Sequence, residues 1–285
     1  MARYTLLGIN VDLLTEEEIF DRIMELSEGD KPEHVILLDT YLLMKAQFDK
    51  ALAQIINSAA LVIPISKGVV SGLKFVTGQS GEFHNFFNLT IRLLSRLTDF
   101  KRNIYMIGGK NEKVIRKAET NVKGSFPGIR LMGTYHMGYK KPFEKNLITA
   151  MQKTSPSLVI VSTGRPKQEQ WIARNKKGFP KGVFLGVEDF VHIIGGKDKN
   201  ASRKKIPVVD KNFFRFIYFI DYGFALLFNK MFNKHPKPVH KKSDENGVGS
   251  VIIEDDKPAE NVETLPDEAP KFSFDARETS AIHNS

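Results

Sequence analysis

The chemistry-bearing residues of this sequence gather just after its short apolar runs. The fullest set is Ser162–Trp171, reading STGRPKQEQW, which follows the run Leu158–Ser162 (LVIVS) directly. A Gly164-x-Pro166 turn at a strand end frees backbone donors. Lys167 and Gln168 then supply a cation and an amide where a pyrophosphate or a sugar hydroxyl can sit. The same letters also read as a plain β-to-α turn whose Pro166 opens the helix. Gly108 and Gly109, after Asn103–Ile107 (NIYMI), permit close phosphate approach. They lack the third glycine of a dinucleotide fingerprint and the rest of a P-loop, so a structural turn fits equally well. Asp39 and Thr40, after His34–Leu38 (HVILL), can bind a hydroxyl or accept a proton, or simply cap a helix. Pro64–Gly68 (PISKG) offers a hydroxyl and an ammonium but no carboxylate, which is poor material for a base.

Several chemistries are excluded outright. The chain has no cysteine, which removes disulfides, thiolate metal sites and a cysteine nucleophile together. Its histidines form no H-x-x-x-H pair, so no metal is expected. No G-x-S-x-G elbow supports a serine hydrolase.

Stepping along the chain, apolar runs alternate with helix-length amphipathic stretches. Strands are expected at Tyr4–Ile9, His34–Leu38, Ala60–Pro64, Asn103–Ile107, Ile129–Gly133, Leu158–Ser162 and Gly182–Gly186. Helices are expected from Thr15, where Glu18 completes a capping box, and over Tyr41–Asn57, Glu112–Gly124 and Phe143–Thr154. Such alternation implies an α/β fold, a Rossmann-like layered and mostly parallel sheet, with ligands at the carboxyl ends of the strands.

The 285 residues carry a formal net charge of +9, with 41% hydrophobic and 26% charged residues. These values suit a globular chain. The charge is divided: Asp244–Ser285 holds eleven acidic against three basic residues, so residues 1–243 are strongly basic. Three regions follow: a core over 1–196, a basic aromatic appendage over 197–243 and an acidic tail over 244–285 that is expected to be disordered. In the appendage, Phe213–Phe232 surrounds most of a helix with apolar residues, and Lys211, Arg215, Lys230 and Lys234 mark its ends and one edge. That suits an interfacial helix at an anionic membrane surface, or a terminal helix packed on its own core. No nucleic-acid motif accompanies the charge, so nucleic acid is not an expected partner. No export signal or spanning segment is read.

Taken in order, these stretches resemble the WecG/TagA/CpsF family of bacterial glycosyltransferases. Leu6–Asp12 matches the family's LLGINVD-like start, Ala60–Val70 its A-D-L-V-x-P-D-G-x-G-V-V stretch and Gly108–Gly109 its G-G turn. Pro127–Tyr139 matches P-G-[IL]-x-[IVL]-x-G-x-x-x-G-Y, and Gly164–Glu169 matches G-x-P-K-Q-E, with the family's aromatic at Trp171. The resemblance covers about residues 4–200. It implies metal-independent, inverting transfer of an N-acetylhexosamine-type sugar from a UDP donor to a polyprenyl-diphosphate-linked acceptor, without a cofactor. The setting implied is surface polysaccharide synthesis in the cell envelope, by a cytoplasmic protein held peripherally on the inner face of the membrane. Family members often self-associate, so a homo-oligomer is allowed.

By residue, the resemblance and the strand-end rule together assign catalysis to Asp39 and Gln168. Substrate binding falls to Thr40, Gly108, Gly109, Gly164, Pro166, Lys167 and Glu169, and membrane or acceptor contact to Arg203, Lys204, Lys205 and Arg215. The sequence departs from the family at several places. The P-D-G aspartate, the family's expected general base, aligns with Ile65, and the T-x-N stretch with Leu37 and Asp39. The R-x-T-G arginine aligns with Phe75, G-G-x-F-D with Val187–Val191 and R-A-P with Asn200–Ser202. Two functions therefore stand: a transferase with a rearranged base such as Asp39, or a catalytically silent relative acting as a membrane-associated binding or assembly protein.

Overall fold

A computed structural model of the chain describes residues 2–109, 111–136, 142–196 and 220–231. Among the described residues, eight strands and their connecting helices lie within 2–196. A hairpin of β1 (Ala2–Leu6) and β2 (Ile9–Leu13) precedes α1 (Glu16–Glu28). Then come β3 (Pro32–Leu38), α2 (Thr40–Phe48), α3 (Lys50–Asn57), β4 (Leu61–Pro64), α4 (Lys67–Thr77) and α5 (Phe86–Asp99). The second half runs β5 (Asn103–Gly108), α6 (Glu112–Ser125), β6 (Arg130–Tyr135), α7 (Pro142–Thr154), β7 (Leu158–Ser162), α8 (Lys167–Asn175), β8 (Gly182–Gly186) and α9 (Phe190–Ile194). Residues 220–231 form a further helix, here α10. All described residues fall within one compact unit, Met1–Lys241.

β3 to β8 form a six-stranded sheet in the order β4-β3-β8-β7-β5-β6, every pairing parallel. Parallel strands are buried on both faces and read as continuous apolar runs, which is why HVILL, LVIVS and GVFLG stand out in the sequence. Alternate side chains serve opposite layers. Val35, Leu37, Ile104, Met106 and Ile160 pack with α1, α5, α6 and α9. On the other face, Ile36, Leu38 and Val62 pack with α2, α3, α4 and the hairpin, and Tyr105, Ile107, Val159 and Val161 with α7 and α8.

The start of the chain differs from expectation. The stretch expected as one strand, Tyr4–Ile9, is instead a hairpin turning at Leu7 and Gly8, both at positive φ. The hairpin guards the edge strand β4. Asp12, buried, accepts from the Val62 N–H at 2.7 Å and from Arg3 at 2.6 and 2.7 Å, while Arg3 donates to the Ala60 carbonyl at 3.1 Å. The LLGINVD aspartate therefore closes an open sheet edge, a role the letters did not reveal. The expected helix Tyr41–Asn57 is two helices, because Asp49 leaves the helical region and caps α3 by accepting from Leu52 N–H at 3.0 Å. The Thr15–Glu18 capping box forms as expected.

α10 belongs to the core at one edge. Tyr222 is buried and donates its hydroxyl to the Gly68 carbonyl at 2.9 Å. A Cβ at Gly72 would collide with that hydroxyl, so the close approach of α10 to α4 depends on the glycine. Lys230 lies 4.3 Å from the centroid of the Phe75 ring. Ile220, Phe224, Leu227, Phe228 and Met231 remain exposed along the helix. The rest of the expected appendage, with Arg203, Lys204, Lys205 and Arg215, lies outside the described residues, as does the tail 244–285. No helix among the described residues is long and apolar enough to cross a membrane.

Candidate functional site

The sheet order fixes where a ligand can enter. The chain leaves β5 toward β6 on one side and leaves β7 toward β8 on the other, so the strand order reverses between β5 and β7. Beyond the carboxyl ends of two such strands the connections diverge and leave a crevice. A cleft of about 580 Å³ lies there, lined by Gly109, Ser162, Thr163, Gly164, Lys167, Gln170, Trp171, Arg174, Asp189 and His192.

Each wall has a local cause. Gly164 sits at φ +89 with open space where a Cβ would be, a conformation that favours glycine and leaves the backbone approachable. α8 begins at Lys167 without a side-chain cap; the Gln168 N–H is taken by the Gly164 carbonyl at 3.0 Å, so what this helix start offers an anion is the sign of its dipole and the Lys167 ammonium. Lys167, Gln170, Trp171 and Arg174 follow at i, i+3, i+4 and i+7, one face of a helix. That face carries a cation at each end of α8. Trp171 is buried, yet its indole N–H has no partner, and neither does the Thr163 hydroxyl. Buried polar groups are nearly always satisfied, so two orphans in one cleft mark a place for a polar ligand.

Gln168 and Glu169 point elsewhere. They occupy the other side of the first turn of α8, fully buried against Gly186 at the end of β8. Gln168 Nε2 donates to Glu169 Oε1 at 3.0 Å; Gln168 Oε1 and Glu169 Oε2 are left without partners. Burial pushes the Glu169 carboxyl up to about 7, against the lowering effect of the Gln168 bond and of Arg165.

A second cluster lies beside them, at the ends of β3 and β8. Asp39 is the N-cap of α2, accepting from Leu42 N–H at 2.9 Å, and its other oxygen pairs with Arg165. Arg165 pairs also with Glu188 and lies 5.7 Å from the centroid of the Tyr41 ring. Burial works against its charge, but the Asp39 and Glu188 carboxylates more than reverse this and raise its pKa. Nearby, the Thr40 and Ser66 hydroxyls meet at 3.1 Å. Ile65, in contrast, is packed against the core.

The expected residues thus divide across the 162–167 turn. Gly109, Gly164 and Lys167 line the cleft. Gly108 closes β5, where a Cβ would lie 2.6 Å from the Ser162 carbonyl. Pro166 sets the start of α8, and Asp39, Thr40, Gln168 and Glu169 belong to the β3/β8 side. Sequence reasoning missed Arg174, Asp189, His192, Arg165 and Glu188. Arg174 was legible as the i+7 partner of Lys167, and Glu188–Asp189 as another set just past an apolar run. Arg165 occupies the variable position of the turn motif and carried no signal of its own.

The model of the glycosyl transferase WecG/TagA/CpsF family matches residues 4–207. A Staphylococcus aureus (strain NCTC 8325 / PS 47) protein named N-acetylglucosaminyldiphosphoundecaprenol N-acetyl-beta-D-mannosaminyltransferase is 21% identical over 202 residues, covering 70% of this chain and 78% of its own. A protein of the same name from Bacillus spizizenii (strain ATCC 23059 / NRRL B-14472 / W23) is 27% identical over 147 residues, 52% of this chain and 56% of its own. With sheet, cleft and turn motif in place over the matched residues, the chain belongs to the WecG/TagA/CpsF family of glycosyltransferases.

Proposed function

We propose that the protein transfers an N-acetylhexosamine-type sugar from a UDP donor to a polyprenyl-diphosphate-linked acceptor at a membrane surface. The observation that carries this reading is the cleft at the β5/β7 switch point. Its uncapped helix start, approachable Gly164 backbone and Lys167 suit a diphosphate, and the unpartnered Trp171 N–H and Thr163 hydroxyl suit the hydroxyls and carbonyls of a nucleoside. The names of the relatives specify transfer of an N-acetylmannosaminyl group to a lipid-diphosphate-linked acceptor, which supports the sugar and acceptor classes of this reading. Attachment to the membrane is peripheral in this reading, through the exposed apolar stripe of α10 and the basic residues around it.

The second reading, a silent relative that binds without transfer, is favoured by Ile65. An isoleucine packed on the core cannot accept a proton, and Asp39 is tied to Arg165. One assay separates the two: turnover of UDP-N-acetylhexosamines with a lipid-diphosphate acceptor, by the wild type and by Ile65→Asp. A rearranged enzyme turns over as it stands, and Ile65→Asp gives no gain. A silent relative shows no wild-type turnover, and Ile65→Asp restores a base worth a factor of about 10²–10⁴.

A further inference from the structure

Asp39, Arg165 and Glu188 come from three different strand ends, yet the fold joins them in one network. Asp39 and Glu188 are two of the positions where the sequence departs from the family pattern, and Arg165 fills that pattern's variable position. One guanidinium held between two carboxylates is overpaired: the group carries a net negative charge. Its Nε, buried, has no partner, so the guanidinium retains unused donor capacity. Its backbone is part of the turn whose neighbours Gly164 and Lys167 line the cleft. Among the described residues, Arg165 is therefore a cation next in the chain to the cleft whose side chain is directed away from it.

We propose that Arg165 is a diphosphate-binding residue, held in reserve by Asp39 and Glu188, which exchanges onto the donor diphosphate when the cleft fills. This rests on the donor reading above. The exchange has a direct consequence for the β3 side. Once Arg165 turns to phosphate oxygens, Asp39 keeps its cap on α2 but loses its cation, which leaves a carboxylate free to accept a proton. Occupancy of the donor site and availability of the base are then coupled through one side chain. Fork-shaped guanidinium binding suits phosphate and carboxylate alike, so the competition is between chemically similar partners.

The test is calorimetric titration of UDP, inorganic pyrophosphate and farnesyl diphosphate into the full chain and its variants. Glu188→Gln removes one competitor while preserving shape. The expected result is that UDP and pyrophosphate bind about tenfold more tightly, and that Arg165→Met in the same background erases the gain. Asp39→Asn, whose amide oxygen can still cap α2, is expected to act in the same direction and guards against a folding defect in the first variant; thermal melts of both confirm the fold. If wild-type protein binds UDP but neither variant tightens it, Arg165 is only a structural tie and the proposal is overturned, while the donor reading stands. Tightening of farnesyl diphosphate alone would move Arg165 to the acceptor and equally overturn it. If neither wild type nor Glu188→Gln binds any of the three, the donor reading falls and takes this proposal with it.

Discussion

The side chain that says most about its surroundings is Glu169. It is fully buried, one oxygen is unpartnered, and burial lifts its pKa from 4.5 to about 7. A carboxyl with a raised native pKa holds its proton more tightly when folded. Its contribution to stability is complete below about 4.5 and is lost as pH rises through about 7. His34, buried with its pKa lowered to about 3, acts in the opposite sense: its contribution is complete above about 6.5 and is lost as pH falls below that value. Denaturant melts across pH should therefore show the wild type losing about 1 kcal/mol between pH 6 and 8 relative to Glu169→Gln, since His34 contributes alike to both proteins. An identical slope in the variant would place the ionisation elsewhere. At this scale the sequence was legible where a residue acts through its own type and position, as with Lys167 at a helix start. It was not legible where the role depends on partners from distant strands. Nothing in the letters joins Arg165 to Asp39 and Glu188, or Asp12 to the edge of β4, since those contacts exist only after the sheet has ordered its strands.

At the scale of elements, apolar runs bounded by turn residues identified all six strands of the parallel sheet: the inner strands because burial on both faces keeps them apolar throughout, and the exposed edge strand β6 through the shorter run Ile129–Gly133. The hairpin was hidden because the apolar letters run straight through its turn, Leu6–Ile9, where Leu7 takes the positive φ that a turn signal would assign to Asn or Gly. α4 and α5 were not singled out: each is capped by one polar residue, Ser66 and Asn85, with no acidic residue in its first turn to mark a helix start. The junction of α4 with α10 is where one atom matters most. Gly68 and Gly72 lie on successive turns of α4, and Tyr222 rests against them. Gly72→Val is expected to dislodge Tyr222 at a cost of about 1–3 kcal/mol, raising amide exchange across residues 220–231 while α6 stays protected. Unchanged exchange over 220–231 would show that α10 is held by other contacts. In the proposed membrane role, the same variant loosens the docking of the apolar stripe and so weakens vesicle binding.

For the whole molecule, the order β4-β3-β8-β7-β5-β6 does what no single motif does. It sets the reversal between β5 and β7, opens the cleft there, and places the 162–167 turn as a partition between a cationic side and an acidic side. Sequence reading anticipated the α/β class and the parallel sheet, but not the strand order, which depends on which edges pair. In the proposed function, the switch-point cleft takes a UDP donor through Lys167. The most direct measurement is calorimetric titration of UDP into the full chain beside Lys167→Ala. The expected result is micromolar binding by the wild type, weakened about tenfold or more in the variant. Absence of binding to the wild type, or equal affinity in the two, would contradict it.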